Sequence, residues 1–240
     1  MGEKRMNILA IDTSGPACSV ALTADGKLLG EIVMNSALTH SETVMPAVDE
    51  LLSRENLTCA DIDRFVSVAG PGSFTGVRIG VCVVKALAHA VNKPCVRVNS
   101  LHALAVGAWG VNGIICPILD ARREQVYCAA YEFMGDALPV RVLPDAAIPL
   151  KDFLSQLPAD RPLYFTGDGV AVHEKTIRET LGSRAHFAPT HARVLRASSA
   201  CVIAEAPETE LLAPAALTPI YLRAPQAERE RSERLTRAKV

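Results

Sequence analysis

No stretch of this sequence is apolar for long enough to cross a membrane, which takes about 20 residues. Near the start only Ile8-Leu9-Ala10-Ile11 precedes Asp12, too short a run for the core of a secretion signal. Net charge is nearly absent too: 25 basic against 26 acidic side chains leave −1. Bulk electrostatics therefore do not call for nucleic acid or an anionic membrane, and any RNA contact has to come from a local patch or a partner protein. The seven cysteines (Cys18, Cys59, Cys82, Cys95, Cys116, Cys128, Cys201) never fall at C-x-x-C spacing. Reduced, buried thiols of a cytoplasmic protein are the expectation. Nor do the six histidines (His40, His89, His102, His173, His186, His191) contain an H-x-x-x-H or H-E-x-x-H pair, so no metal site is expected.

What is present is the composition of an ordinary globular chain. Of 240 residues, 49% are hydrophobic and 21% charged, enough for a sizeable core in one large domain or two lobes. Apolar runs at Met6–Asp12, Ala17–Leu22 and Lys27–Met34 read as strands, the last two joined by the hairpin signal Ala24-Asp25-Gly26. Thr39-His-Ser-Glu42 fits a capping box, and Val44, Val48, Leu51 and Leu52 recur at helical spacing behind it, with Pro46 expected to kink the helix or delay its start. A strand at Phe65–Ala69, a helix to about Val91 and a strand at Cys95–Val98 follow.

The second half repeats the order. Strands are expected at Ile114–Leu119, Gln125–Phe133, Val140–Leu143, Leu163–Thr166 and Ala185–Ala188, with helices at Leu150–Leu157, Val170–Leu181 and from about Arg193 to Glu205. Each half opens with an apolar strand ending in an acid, Asp12 or Asp120, then a small turn. Such a duplicated β-β-β-α-β-α-β unit is the α/β topology of the actin, chaperone and sugar-kinase superfamily: two RNase H-like lobes around a cleft. The division is residues 1–100 for the N-terminal lobe, 101–225 for the C-terminal lobe, and 226–240 for a charged tail. That tail holds five basic and three acidic side chains, with Glu230–Arg234 and Glu233–Arg237 spaced for helix-surface ion pairs. It reads as a solvated end, with contact to RNA phosphates as the alternative.

"VAGPGSFTGVRIG" (68–80) is the most unusual stretch. It is not a Walker loop, because Val77 follows Gly76 where lysine is needed. Thr75 stands where a dinucleotide fingerprint needs its third glycine, and Pro71 breaks the nucleophile elbow around Ser73. What remains is a strand-to-helix turn with Ser73 or Thr75 as the cap. In the helix behind it Arg78, Lys85, His89 and Asn92 form one narrow polar stripe, and apolar residues cover most of the rest. A surface helix needs only one apolar stripe, so this helix is either internal or covered by another chain. Gly76 and Gly80 form a G-x-x-x-G face suited to close helix approach. Elsewhere Asp12-Thr13-Ser14 sits where actin-like folds place a phosphate-facing turn, Asp120 is its counterpart, and Gly167 and Gly169 of "TGDGV" make a small-residue turn able to approach an adenine. These residues read equally well as a nucleotide site and as remnants of turn geometry.

"ILAIDTS", "ACSVAL", "GPGSFTGVRIG", "LDAR…VY" and "YLRAP", in this order from Met6 to Pro225, closely resemble the bacterial TsaB (YeaZ) family. Gln125 departs from the pattern, which more often has an acid before Val-Tyr. The resemblance implies an actin-like, non-catalytic scaffold that binds and stabilises TsaD, the subunit that transfers a threonylcarbamoyl group to adenosine beside the tRNA anticodon. It further implies an ATPase, TsaE, joining the assembly, homodimers in isolation, tRNA contact only through the complex, and no membrane. The shared surface is implied to be the two N-terminal-lobe helices, here His40, Val44, Val48 and Leu51 with Ser73, Gly76, Val77, Gly80, Val81 and Val84. No tightly bound cofactor is expected, with ATP at the cleft or at the complex interface as the open possibility. A small-molecule kinase of the same superfold is the competing function, and a metallopeptidase a more distant one.

Overall fold

Alternation decides how the first strand is used. In β1 (Asn7–Asp12) Ile8 and Ala10 point to one face of the sheet and Leu9 and Ile11 to the other, and all are fully buried. A strand apolar on both sides belongs in the middle of a covered sheet. The computed structural model describes residues 5–36 and 38–223. In it β1 pairs with β2 (Cys18–Ala24) on one side and β4 (Arg64–Val68) on the other. β3 (Lys27–Met34) and β5 (Cys95–Val98) form the edges, giving the order β3-β2-β1-β4-β5. Asp25 and Gly26 both take positive φ in the β2–β3 turn, as the two central residues of a tight hairpin require.

The second sheet is the same object again. β6 (Ile114–Asp120), β7 (Gln125–Glu132), β8 (Val140–Pro149), β9 (Leu163–Thr166) and β10 (Ala185–Phe187) are ordered β10-β9-β6-β7-β8. In both sheets the first strand pairs antiparallel with the second and parallel with the fourth. The architecture is the actin-like duplication of an RNase H-like unit.

On the outside of the first sheet lie α1 (His40–Arg54) and α2 (Phe74–Ala90), and on the outside of the second lie α4 (Leu150–Gln156) and α5 (Gly169–Leu181). α1 begins at His40 with the Thr39–Glu42 capping box in place and runs on through Pro46. Between the sheets lie α3 (Ser100–Val106) and α6 (Ala197–Glu205), and they cross over. α3 packs on β6 and β7 of the second sheet, α6 on β1, β2 and β4 of the first, and the two helices touch each other. Their shared core joins Ile8, Val66, Leu101, Leu104, Ile115, Tyr131 and Cys201.

Three elements differ from expectation. α3 has no amphipathic period because it is buried almost all round, so nothing in its sequence marks a face. β8 continues past Leu143 to Pro149, where it meets α4. α6 starts at Ala197, not Arg193; Thr190–Ala192 instead forms a short 3-10 turn. After α6 the chain returns as a strap along the first lobe: Leu212 bridges to Cys95, Leu217 is buried, and the Ile220 N–H donates to the Ala69 carbonyl. Residues 226–240, the charged tail, lie outside the described residues.

Candidate functional site

The ends of β1 and β6 face each other across the space between the lobes, and the β1–β2 and β6–β7 turns line a cleft of about 710 Å³. Ser14, Gly15 and Pro16 come from the first turn, Asp120, Ala121 and Arg122 from the second. The start of α2 contributes Ser73 and Phe74, α5 contributes Ala171 and Val172, and the strap closes the rim with Tyr221 and Arg223.

Of the residues expected to bind nucleotide, Ser14 and Asp120 reach this cleft and the others lie behind it. Asp12 is buried, its Oδ1 accepting the Ser14 N–H at 2.9 Å, and burial pushes its carboxyl up to about 7 against that hydrogen bond. The Thr13 hydroxyl donates to the Gly76 carbonyl at 2.7 Å and is also buried. The phosphate-facing turn of the fold is thus taken up by packing against α2. Gly167 and Gly169 serve close packing as well: a Cβ on Gly167 would lie 2.2 Å from the Ile118 carbonyl oxygen, and on Gly169 3.0 Å from it. The residue between them is the one that lines the cleft. Asp168 accepts the Asp120 N–H at 3.1 Å, and burial raises its carboxyl, the charge of Asp120 adding to the effect. The "TGDGV" signal points to this turn through its glycines, whereas the side chain that reaches the cleft is the acid between them.

The residues expected on a partner surface require a correction. Val44, Val48, Leu51, Val77, Val81 and Val84 are all buried in the lobe's own core, packed with Leu9, Ile11 and Phe65. A Cβ on Gly76 would sit 2.0 Å from the Thr13 carbonyl oxygen, and on Gly80 2.5 Å from Thr13 Oγ1. The G-x-x-x-G face therefore lets β1 and its turn come close to α2, and no second chain can reach it in this fold. Ser73 caps α2 by accepting the Gly76 N–H, and His40 Nε2 lies 2.9 Å from the Gly15 carbonyl oxygen. The strap meets two residues of the polar stripe, with Lys85 Nζ donating to the Ala215 carbonyl at 2.9 Å and Arg78 Nε to the Tyr221 hydroxyl at 2.9 Å, while Arg78, His89 and Asn92 stay exposed.

Beside it α2 also leaves an apolar stripe uncovered. Cys82, Ala86 and Ala90 are exposed at four-residue spacing, flanked by the half-buried Ile79, Val83 and Leu87. On α1, Met45 is exposed as well. Among the described residues, no three histidine, cysteine or acidic side chains are grouped to hold a metal ion, and no helix is long and apolar enough to cross a membrane.

Comparison with known proteins places this architecture. The chain is 36% identical over 224 residues, 93% of its length and 96% of the relative's, to the tRNA threonylcarbamoyladenosine biosynthesis protein TsaB of Bacillus subtilis. The chain belongs to the TsaB (YeaZ) family. A shorter match, 39% over 129 residues, covers 53% of this chain and 55% of TsaB from Escherichia coli. YeaZ from Pseudomonas aeruginosa has the same fold, with a TM-score of 0.77 and 27% identity over 90% of this chain and all of that one. The family model described as "TsaD: tRNA N6-adenosine threonylcarbamoyltransferase" matches residues 27–230, as fits a paralogue built on the same duplicated unit.

Proposed function

We propose that this chain is a non-catalytic subunit of the machinery that makes threonylcarbamoyladenosine in tRNA, acting by docking onto a TsaD-type transferase subunit. The observation that carries the reading is the uncovered stripe on α2. Cys82, Ala86 and Ala90 are small enough for a helix to approach closely, and Ile79, Val83 and Leu87 supply the apolar flanks. The name of the Bacillus subtilis relative supports the pathway, and the match to the transferase family model is in keeping with a paralogous TsaD-type partner. In isolation the same stripe would pair with its copy in a homodimer, and TsaE would join the heteromeric complex.

Two features support a non-catalytic role over the kinase alternative. The hydroxyl of Thr13 is committed to Gly76, and Asp12 is sealed behind Ser14, so neither meets a phosphate in the cleft. Tight nucleotide binding by the isolated chain is not expected; of the cleft and the complex interface, the filled phosphate turn favours the interface as the place for ATP in an assembly that acts in the cytoplasm.

Capture of this chain by its cognate TsaD-type subunit tests the docking face. Cys82→Glu and Ala86→Arg, both at exposed positions, should abolish capture while circular dichroism and melting temperature stay near wild type. Gly80→Arg, by contrast, should lower stability, because its side chain would have to displace Thr13. Normal capture by both surface variants would sink the reading.

A further inference from the structure

We infer that the mouth of the inter-lobe cleft is a contact site for an unpaired stretch of RNA, with a base on Tyr221 and the phosphates on Arg122 and Arg123. The inference rests on the proposed role in a tRNA-modifying assembly and adds a surface that role does not itself require.

Two features meet at the mouth. The first is an aromatic platform on the N-terminal lobe: Phe74 and Tyr221 stack with ring centroids 5.1 Å apart, and the Arg78 guanidinium lies 3.7 Å over the Phe74 ring. Arg78 also holds the Tyr221 hydroxyl, so the platform is fixed in orientation, yet Tyr221 remains 42% exposed and lines the cleft. In a chain with few aromatic residues, a braced and exposed ring is a ready surface for a base, and stacking on such a ring is tolerant of sequence.

The second is the β6–β7 turn opposite. Arg122, Arg123 and Glu124 have φ of 64°, 53° and 59°, three successive left-handed residues with no glycine among them. Each such residue costs roughly 1–2 kcal/mol. The conformation is held from outside the turn: Leu150 donates to the Glu124 carbonyl, and Arg223 to the Ala121 carbonyl at 3.1 Å. Inside it, Asp120 accepts the Arg122 N–H at 2.9 Å. The outcome is that Arg122 stands on the cleft wall with 90% of its side chain exposed, its ion pair to Asp120 no closer than 3.9 Å, and Arg123 is exposed next to it in the same turn.

The acids settle where each part of a ligand goes. Asp120 and Asp168 at the floor repel phosphate, and the phosphate turn of the fold is already filled, so a free nucleotide with its phosphates deep in the cleft is disfavoured. Phosphates at the arginine rim and a base on the aromatic platform match a strand that passes across the mouth. Double-stranded RNA keeps its bases stacked internally and offers none to Tyr221.

The test uses the full chain with a stem-loop RNA bearing an unpaired loop, a fully paired duplex of the same length, and AMP, measured by fluorescence anisotropy across a salt series. The stem-loop should bind better than the duplex. Arg122→Asn with Arg123→Asn, a pair that keeps the left-handed turn, should weaken it roughly tenfold and reduce the slope of log K against log salt by about 1.4. Tyr221→Leu should weaken binding with the slope unchanged, and Tyr221→Phe should retain it. An unchanged affinity and slope in the asparagine pair overturns the inference, as does AMP displacing the RNA, which would make the cleft a free-nucleotide pocket. Capture by the TsaD-type subunit, measured in parallel, should be normal in all of these variants. A wild-type chain that binds RNA but is not captured sinks the docking reading alone; normal capture with no effect on RNA sinks this inference alone.

Discussion

At the scale of single residues, Asp12 shows how an inherited position can change its work. A strand-end acid in this superfold is placed to face a ligand, yet here it is enclosed, and burial lifts its carboxyl to about 7. The unfolded chain ionises near the ordinary carboxylate value, so between roughly pH 4 and 7 the folded state holds a proton that the unfolded state has lost. Stability should therefore fall as pH rises through that window, by roughly 4 kcal/mol in all, with Asp168 acting in the same direction. Urea unfolding of wild type and Asp12→Asn at a series of pH values checks this: the variant should show a much flatter profile, and an equal slope in both would refute the assignment. None of this was legible in the sequence, where Asp12 reads as a strand end and as part of a phosphate-facing turn. The turn that folds over it is packed, at Thr13, against a helix some sixty positions later that Gly76 and Gly80 let come close.

At the scale of elements, sequence pattern located segments better than it located faces. β5 and β9 matched expectation at both ends, because Pro94 and Pro162 stop the chain just before the apolar run and Asn99 or Gly167 follows it. The excess of apolar residues on α2 was equally plain, but a helix apolar nearly all round does not say which side faces its own sheet. Sequence pattern alone turns the inner valines and the G-x-x-x-G pair toward a partner, whereas the outward stripe runs along Cys82, Ala86 and Ala90. Contacts between distant elements were invisible for the same reason. Glu31 on β3 is one: its Oε1 accepts from the Ser198 N–H and hydroxyl at 3.0 Å each, and its Oε2 from Arg196 Nε at 2.8 Å. A carboxylate from the first sheet thus caps α6, a helix that follows the second. Its side chain is 3% exposed, so Glu31→Ala should destabilise the protein by about 3 kcal/mol, with Arg196→Ala costing less because that side chain is half exposed. Chemical denaturation of the two variants gives the comparison.

At the scale of the whole molecule, the exchange of α3 and α6 governs behaviour. Each sheet has one face covered by a helix that comes after the other sheet in the chain, α3 after the first and α6 after the second, so the duplicated units are not two separable bodies. Fragments 1–110 and 111–240 expressed apart should each leave an apolar sheet face uncovered and aggregate, and expressed together should copurify. Soluble, cooperatively folded single fragments would contradict this. The strap adds a further passage between lobes, from α6 along the first lobe to Arg223, which donates to the Ala121 carbonyl on the second. Superfold relatives that turn over a nucleotide need a hinge, because closing around substrate and reopening is part of their cycle. A chain that passes between its lobes through α3, again on the way to α6, and once more along the strap has its span set by packed helices. Three such passages tie the two walls of the cleft together, and the proposed docking role asks for no cycle of closing and reopening.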